Sequence, residues 1–174
     1  NIHDDLSPTL SGLVLISHVR DGLEIADETK LPKTLRRFIA EHHGTTVQKY
    51  FYEKARAIDE NTTEEQFRYP GPSPQSRETA LVMLADSVEA AVKAKNKSFD
   101  NIRDLRLLVQ NVIRQKAEAG QLKDVDFTMR EMAAIESSFI EILRSTYHSR
   151  EVKEISESIR AAAEKKGQSK QNDR

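Results

Sequence analysis

Three histidines and one aspartate are the residues whose types and spacing suggest chemistry: His18, the adjacent pair His42 and His43, and Asp86. Neutral imidazole is a frequent metal ligand, and two neighbouring histidines at a helix end can point to different sides of one cavity. The chain has no cysteine, which removes disulfides, thiolate metal sites and thiol nucleophiles together. His and carboxylate side chains remain as the strong ligands. On spacing alone a plainer reading stays open, in which His42-His43 is a polar helix terminus and His18 a hydrogen-bonded core residue.

Asp86 adds weight to the metal reading. It stands in the run Ala80-Leu-Val-Met-Leu-Ala-Asp-Ser-Val-Glu-Ala-Ala-Val92, the most apolar helical stretch of the chain, on the face that carries Val82, Met83 and Ala90. An ionised carboxylate on such a face needs a cation or several donors, because desolvation otherwise raises its pKa until it neutralises. A salt bridge to Arg20, Arg36 or Arg37 would serve, and so would a metal shared with the histidines. Other chemistries find less support. No glycine spacing matches a phosphate-binding loop, and no Ser-His-Asp order comes with a nucleophile elbow. Lys93, Lys95, Lys97 and the Lys165-Lys166 tail read as solvated charge, Tyr50, Phe51 and Tyr52 as mostly core, and His148 as a cap on a helix C-terminus.

The elements that must position these residues are helical. Apolar residues recur at steps of three and four throughout, and no alternating run suggests a strand, so the fold class is all-α. A first helix starts at Ser7-Pro8, a cap followed by proline at the first helical position, and carries Leu10, Leu13, Val14, Ser17, His18 and Asp21. A second runs from Lys33 to the histidine pair and stops at Gly44. Thr45 or Thr46 caps a third, reaching to about Ile58. Residues 59 to 77, with the run Arg68-Tyr-Pro-Gly-Pro-Ser-Pro74, form a rigid and partly extended loop. Helices over Arg77 to Lys95, Phe99 to Ala119 and Phe127 to about Arg150 complete the domain, the last two separated by Gly120, and residues 151 to 174 read as a helical extension and polar tail.

With 174 residues, 37% of them hydrophobic, the chain suits one core and one domain. Twenty-seven Lys and Arg face 28 Asp and Glu, so no global field favours nucleic acid or an anionic membrane. The longest apolar run, Ala80 to Ala85, is far below the roughly 20 residues of a membrane helix, and no signal peptide opens the chain. It reads as soluble, without membrane contact of its own, and as a possible piece of something longer.

Several motifs in one order carry a resemblance. Leu6-Ser-Pro-Thr-Leu-Ser-Gly-Leu with Ser17-His18, then Glu41-His42-His43-Gly44-Thr45, Phe67-Arg-Tyr-Pro-Gly-Pro, Met83-Leu-Ala-Asp86-Ser-Val-Glu-Ala, and Phe139 to His148-Ser-Arg resemble the intracellular HD domain of the seven-transmembrane HD-type cyclic di-AMP phosphodiesterases. The likeness spans residues 1 to about 150. It implies a site for two divalent transition-metal ions, iron or manganese, with His18 as the family's lone histidine, His42 and His43 as its pair and Asp86 as its late aspartate. In such sites the ions polarise the phosphodiester and generate a bridging hydroxide that attacks phosphorus in line, opening the cyclic dinucleotide to linear pApA.

The family's first histidine and its His-Asp doublet belong upstream of Asn1 and are absent. His3-Asp4 is a weaker candidate for the doublet, since it lies just before a Ser-Pro-Thr-Leu-Ser loop that the family has downstream of its own doublet. The chain alone is therefore expected to hold metal poorly and turn over little. Substrate contacts fall to Lys49 for phosphate, one turn beyond the histidine pair, and to Arg68 or Tyr69 in the loop. The likeness further implies a cytoplasmic domain of a bacterial inner-membrane protein, with oligomerisation open. Two rival functions keep other classes in view: an HD phosphohydrolase for another nucleotide or phosphate ester, and a non-catalytic module that binds a nucleotide or partner helix.

Overall fold

The computed structural model describes residues 6–95 and 101–146. These form helices joined by turns, and the one strand-like feature among them is an isolated antiparallel bridge between Val47 and Arg68. Helices α1 (Pro8–Glu28), α2 (Lys33–Glu41), α3 (Lys49–Arg56), α4 (Arg77–Ala94) and α5 (Ile102–Glu118) follow in order, with a 3-10 turn over Glu64–Phe67 between α3 and α4. Residues 129–146 form a further helix, α6.

The helix starts obey local chemistry. Ser7 accepts a hydrogen bond from the Leu10 amide and Pro8 opens α1, as its sequence requires. Ser76 and Asn101 cap α4 and α5 in the same way. At α6 the cap is Thr128, whose hydroxyl accepts from the Glu131 amide while the Glu131 carboxylate accepts from the Thr128 amide. The third helix differs from expectation. Neither Thr45 nor Thr46 caps it; α3 starts later, at Lys49 after Gln48, without a side-chain cap. The reason is that residues 45–48 are drawn into pairing with residues 67–69, where Gln48 donates to the Phe67 carbonyl and Tyr69 to the Thr46 carbonyl.

Two packing regions result. In the first, α1 lies against α2, α3 and the 3-10 turn. Its buried residues are Ser11, Gly12, Val19 and Ala26, whereas Leu10, Leu13 and Val14 are exposed, so the stripe inferred from periodicity is not the face this helix buries. Small residues are buried because the approach is close. A Cβ on Gly12 would stand 2.8 Å from the Phe67 ring, and one on Gly22 would stand 3.0 Å from Ile39. Phe67 is wholly buried there, a contribution of about 1.5–3 kcal/mol. The aromatic run of α3 is less internal than expected, with Tyr50 exposed beneath Lys54.

In the second region α4 packs against α5. Val88, Val92, Leu105, Val109 and Ile140 form a buried cluster flanked by Leu108, Val112, Ile113, Phe139 and Leu143. Helix α4 buries Met83, Leu84, Val88 and Val92 and exposes Val82 and Ala90. Asp86 stands at the border of the buried face, its side chain 39% exposed, rather than among Val82, Met83 and Ala90. His3, Asp4, Lys97, His148 and the extension after 150 lie outside the described residues.

Candidate metal centre

Helices α1, α2 and α4 bring His18, His42, His43 and Asp86 together. Candidate ligand atoms of the three histidines all lie within 4.8 Å of one another. The His42 and His43 rings are 4.0 Å apart, and His18 meets them at 5.3 and 4.9 Å. Asp86 Oδ2 is 3.4 Å from His43 Nδ1. None of the arginines considered as its partner contacts it: Arg20 pairs with Asp21, Arg36 with Asp27 and Arg37 with Glu41.

The orientation of the rings is informative. His18 Nδ1 donates to the Leu15 carbonyl and His42 Nδ1 to the Ile39 carbonyl, each three residues back on its own helix. A carbonyl can only accept, so each Nδ1 carries a proton, and in the neutral form of either ring Nε2 is a bare lone pair. These two Nε2 atoms face each other at 3.2 Å. Neither can donate to the other in that tautomer, and two lone pairs at such a distance repel unless a cation stands between or beside them. A histidine that anchors one nitrogen on a carbonyl and offers the other is the usual arrangement of a metal ligand. His43 is biased toward the neutral form. Burial, first, and then the repulsion that Lys116 and any protonated neighbouring imidazole would exert, push its pKa down to about 3, so protons do not compete for its lone pair near neutrality.

The histidine pair is held from behind by Glu41, which is 2% exposed at the end of α2. Its carboxylate accepts from Arg37 Nε at 2.8 Å, the Gln75 amide at 2.8 Å and Thr79 Oγ1 at 2.6 Å. Burial alone would raise its pKa; the hydrogen bonds from Arg37, Thr79 and Gln75 and the Arg37 charge outweigh that and hold it below the ordinary carboxylate value. After His43 the chain reverses at Gly44 (φ +54), where a Cβ would lie 2.3 Å from Gln121 Oε1 and 2.6 Å from Met83 Cε. The buried Gln121 accepts from the Thr45 amide and donates to the Thr45 hydroxyl, tying this turn to the end of α5.

The three residues expected to contact substrate take different positions. Tyr69 is buried and stacks on His43 at 4.2 Å, with its edge toward His18. Burial raises its phenol pKa, the Gln48 amide offsets part of that, and the Asp86 charge adds to it. Arg68 is already engaged: it donates to the Thr45 carbonyl and pairs with Glu65 and Glu64. Lys49 is exposed at the start of α3 and lines an open groove of about 870 Å³ with Tyr52, Arg56, Glu53, Glu60 and Glu64. Sequence reasoning missed Glu41, Gln121 and Lys116. Glu41 carried a signal in its position beside the histidine pair; Gln121 and Lys116 carried none.

The model of the HD domain family matches residues 2–91, just over half of the chain. The chain belongs to the HD domain family. Two relatives carry the name cyclic-di-AMP phosphodiesterase PgpH: the protein of Bacillus subtilis (strain 168), 42% identical over 150 residues, and that of Listeria monocytogenes serotype 1/2a (strain 10403S), 35% identical over 150 residues. Each match covers 86% of this chain but 21% of the relative, so this HD domain spans about a fifth of their length. A crystal structure of the L. monocytogenes PgpH HD domain in complex with cyclic-di-AMP superposes with a TM-score of 0.78 at 35% identity, over 85% of this chain and 68% of that one. A second structure of the same domain gives 0.76. The all-helical HD architecture expected from the sequence is thereby established.

Proposed function

We propose that this HD domain is the hydrolytic part of a metal-dependent phosphodiesterase that opens cyclic di-AMP to linear pApA. The observation that carries the reading is the pair of Nε2 atoms of His18 and His42, facing each other at 3.2 Å beside His43 and Asp86. Such a donor set suits a divalent transition metal, iron or manganese, and lacks any nucleophile of its own. His18, His42 and His43 would hold one ion and Asp86 would serve a second. Two ions need more ligands than these four residues offer, so the set is completed by residues outside those described. When bound, the ions supply Lewis acidity toward phosphate and water of lowered pKa.

The chain's own residues do the remaining work. His43 stays neutral and available, Asp86 sets a carboxylate beside it, and Tyr69 walls the cluster with its ring stacked on His43. Arg68 acts in this proposal by fixing the 44–48 turn through Thr45, and Lys49 is an outer phosphate contact on the rim. The substrate assignment draws on the cyclic-di-AMP complex of the similar Listeria domain. In this reading the domain lies on the cytoplasmic side of a membrane-anchored parent; among the described residues no helix is long and apolar enough to cross a membrane.

The test is metal analysis and product analysis of the parent protein. About two transition-metal ions per chain and pApA from cyclic di-AMP are expected, with cyclic di-GMP and simple phosphate esters turned over more slowly. Finding no metal, or equal turnover of simple esters, would overturn the reading.

A further inference from the structure

One cation at the site has no role in the scheme above. Lys116, partly buried on α5, donates from Nζ to Thr46 Oγ1 at 2.9 Å. Thr46 lies three residues beyond His43, in the segment that pairs with Tyr69. The Lys116 charge is felt by His43, and the Asp86 charge by Lys116, so the ammonium stands within electrostatic reach of the ligand cluster. Among the described residues it makes this one hydrogen bond and no ion pair. An ammonium has three donors, leaving two to fill.

A partly buried cation with unfilled donors is held at a loss of solvation unless an anion completes it. Asp86 attracts it from a distance without closing an ion pair. The other cations near the loop differ in kind: Arg68 has its donors occupied by Thr45, Glu64 and Glu65, and Lys49 is in solvent. We infer that Lys116 is a phosphate-binding residue of this site, donating from its ammonium to a non-bridging oxygen of a phosphodiester while Thr46 fixes its reach. The ligand class rests on the phosphodiesterase reading; the phosphate contact rests on the placement of Lys116.

The experiment compares the metal-loaded parent protein with its Lys116→Met, Lys116→Arg and Thr46→Val variants. Binding of a phosphorothioate analogue of cyclic di-AMP is measured beside adenosine, with metal content and Tm on the same samples. Lys116→Met, which keeps the apolar stem, is expected to weaken the analogue by about tenfold or more. Adenosine binding and metal content should not change. Lys116→Arg should restore most of the affinity, and Thr46→Val should fall between. Unchanged analogue binding in Lys116→Met overturns the inference, as does a loss of metal that accounts for the weakened binding. Failure of the phosphodiesterase reading looks different: the parent protein would not hydrolyse cyclic di-AMP, while inorganic phosphate would still bind Lys116→Met more weakly than the wild type.

Discussion

The two packing regions hold themselves together by different means. Around α4, α5 and α6 the buried residues are Val88, Val92, Leu105, Val109 and Ile140, and apolar burial dominates. Around the histidines the fixtures are polar and individually specified: Glu41 with its three donors, Gln121 on Thr45, and Nδ1 anchors on carbonyls. Apolar packing tolerates many arrangements of similar volume, whereas a ligand set fails when one atom moves. The division implies that the site can be destroyed without unfolding the domain, and the core weakened without removing a ligand.

Asp86→Ala is the sharpest way to break that comparison. It should reduce phosphodiesterase activity of the parent protein by about 100-fold or more while shifting Tm little, since the side chain is 39% exposed. A melting transition that collapses with it would show that site and core are one unit. Leu105→Ala is the converse, costing about 2–5 kcal/mol of stability in denaturant unfolding, with metal content per folded chain unchanged.

Gly44→Ala tests the seam between the regions. With φ at +54 and Met83 and Gln121 in the way, it should cost about 1–2 kcal/mol or more and lower metal affinity as well. A normal Tm with normal metal binding would mean the turn is not under constraint. Glu41→Gln should cost about 1 kcal/mol and loosen the histidine pair, seen as about tenfold weaker metal binding. Because the folded-state pKa of Glu41 lies below 4.5, its contribution is full above that pH and is lost as pH falls through the depressed value.

His43 adds a second acid limb in metal-free protein. Its pKa falls from 6.5 to about 3 on folding, so the stability linked to its neutral form is present above 6.5 and drains away as pH drops toward 3. Metal-free His43→Gln should lose the slope between pH 6.5 and 5, where Glu41 does not yet titrate. The smallest effect belongs to Arg106→Ala. Its pairing with Glu136 lies at the surface, and stability should change by less than about 1 kcal/mol.

The amino-acid sequence by itself determined the helical class, the starts of α1, α2 and α4 and the identity of four ligand-type residues, because caps, periodicity and side-chain chemistry act over a few residues; α2 ends at Glu41, before the histidine pair rather than at Gly44. The tertiary structure decided the rest. Which stripe of α1 is buried depended on how closely Phe67 approaches Gly12, so Ser11 and Val19 went inward and Leu13 did not. The start of α3 depended on a pairing partner some twenty residues away, at Phe67 to Tyr69. Lys116 reads on its own helix as a surface lysine. It became part of the site only when α5 packed beside α4 and brought its ammonium to Thr46, a contact between residues whose proximity no local pattern encodes.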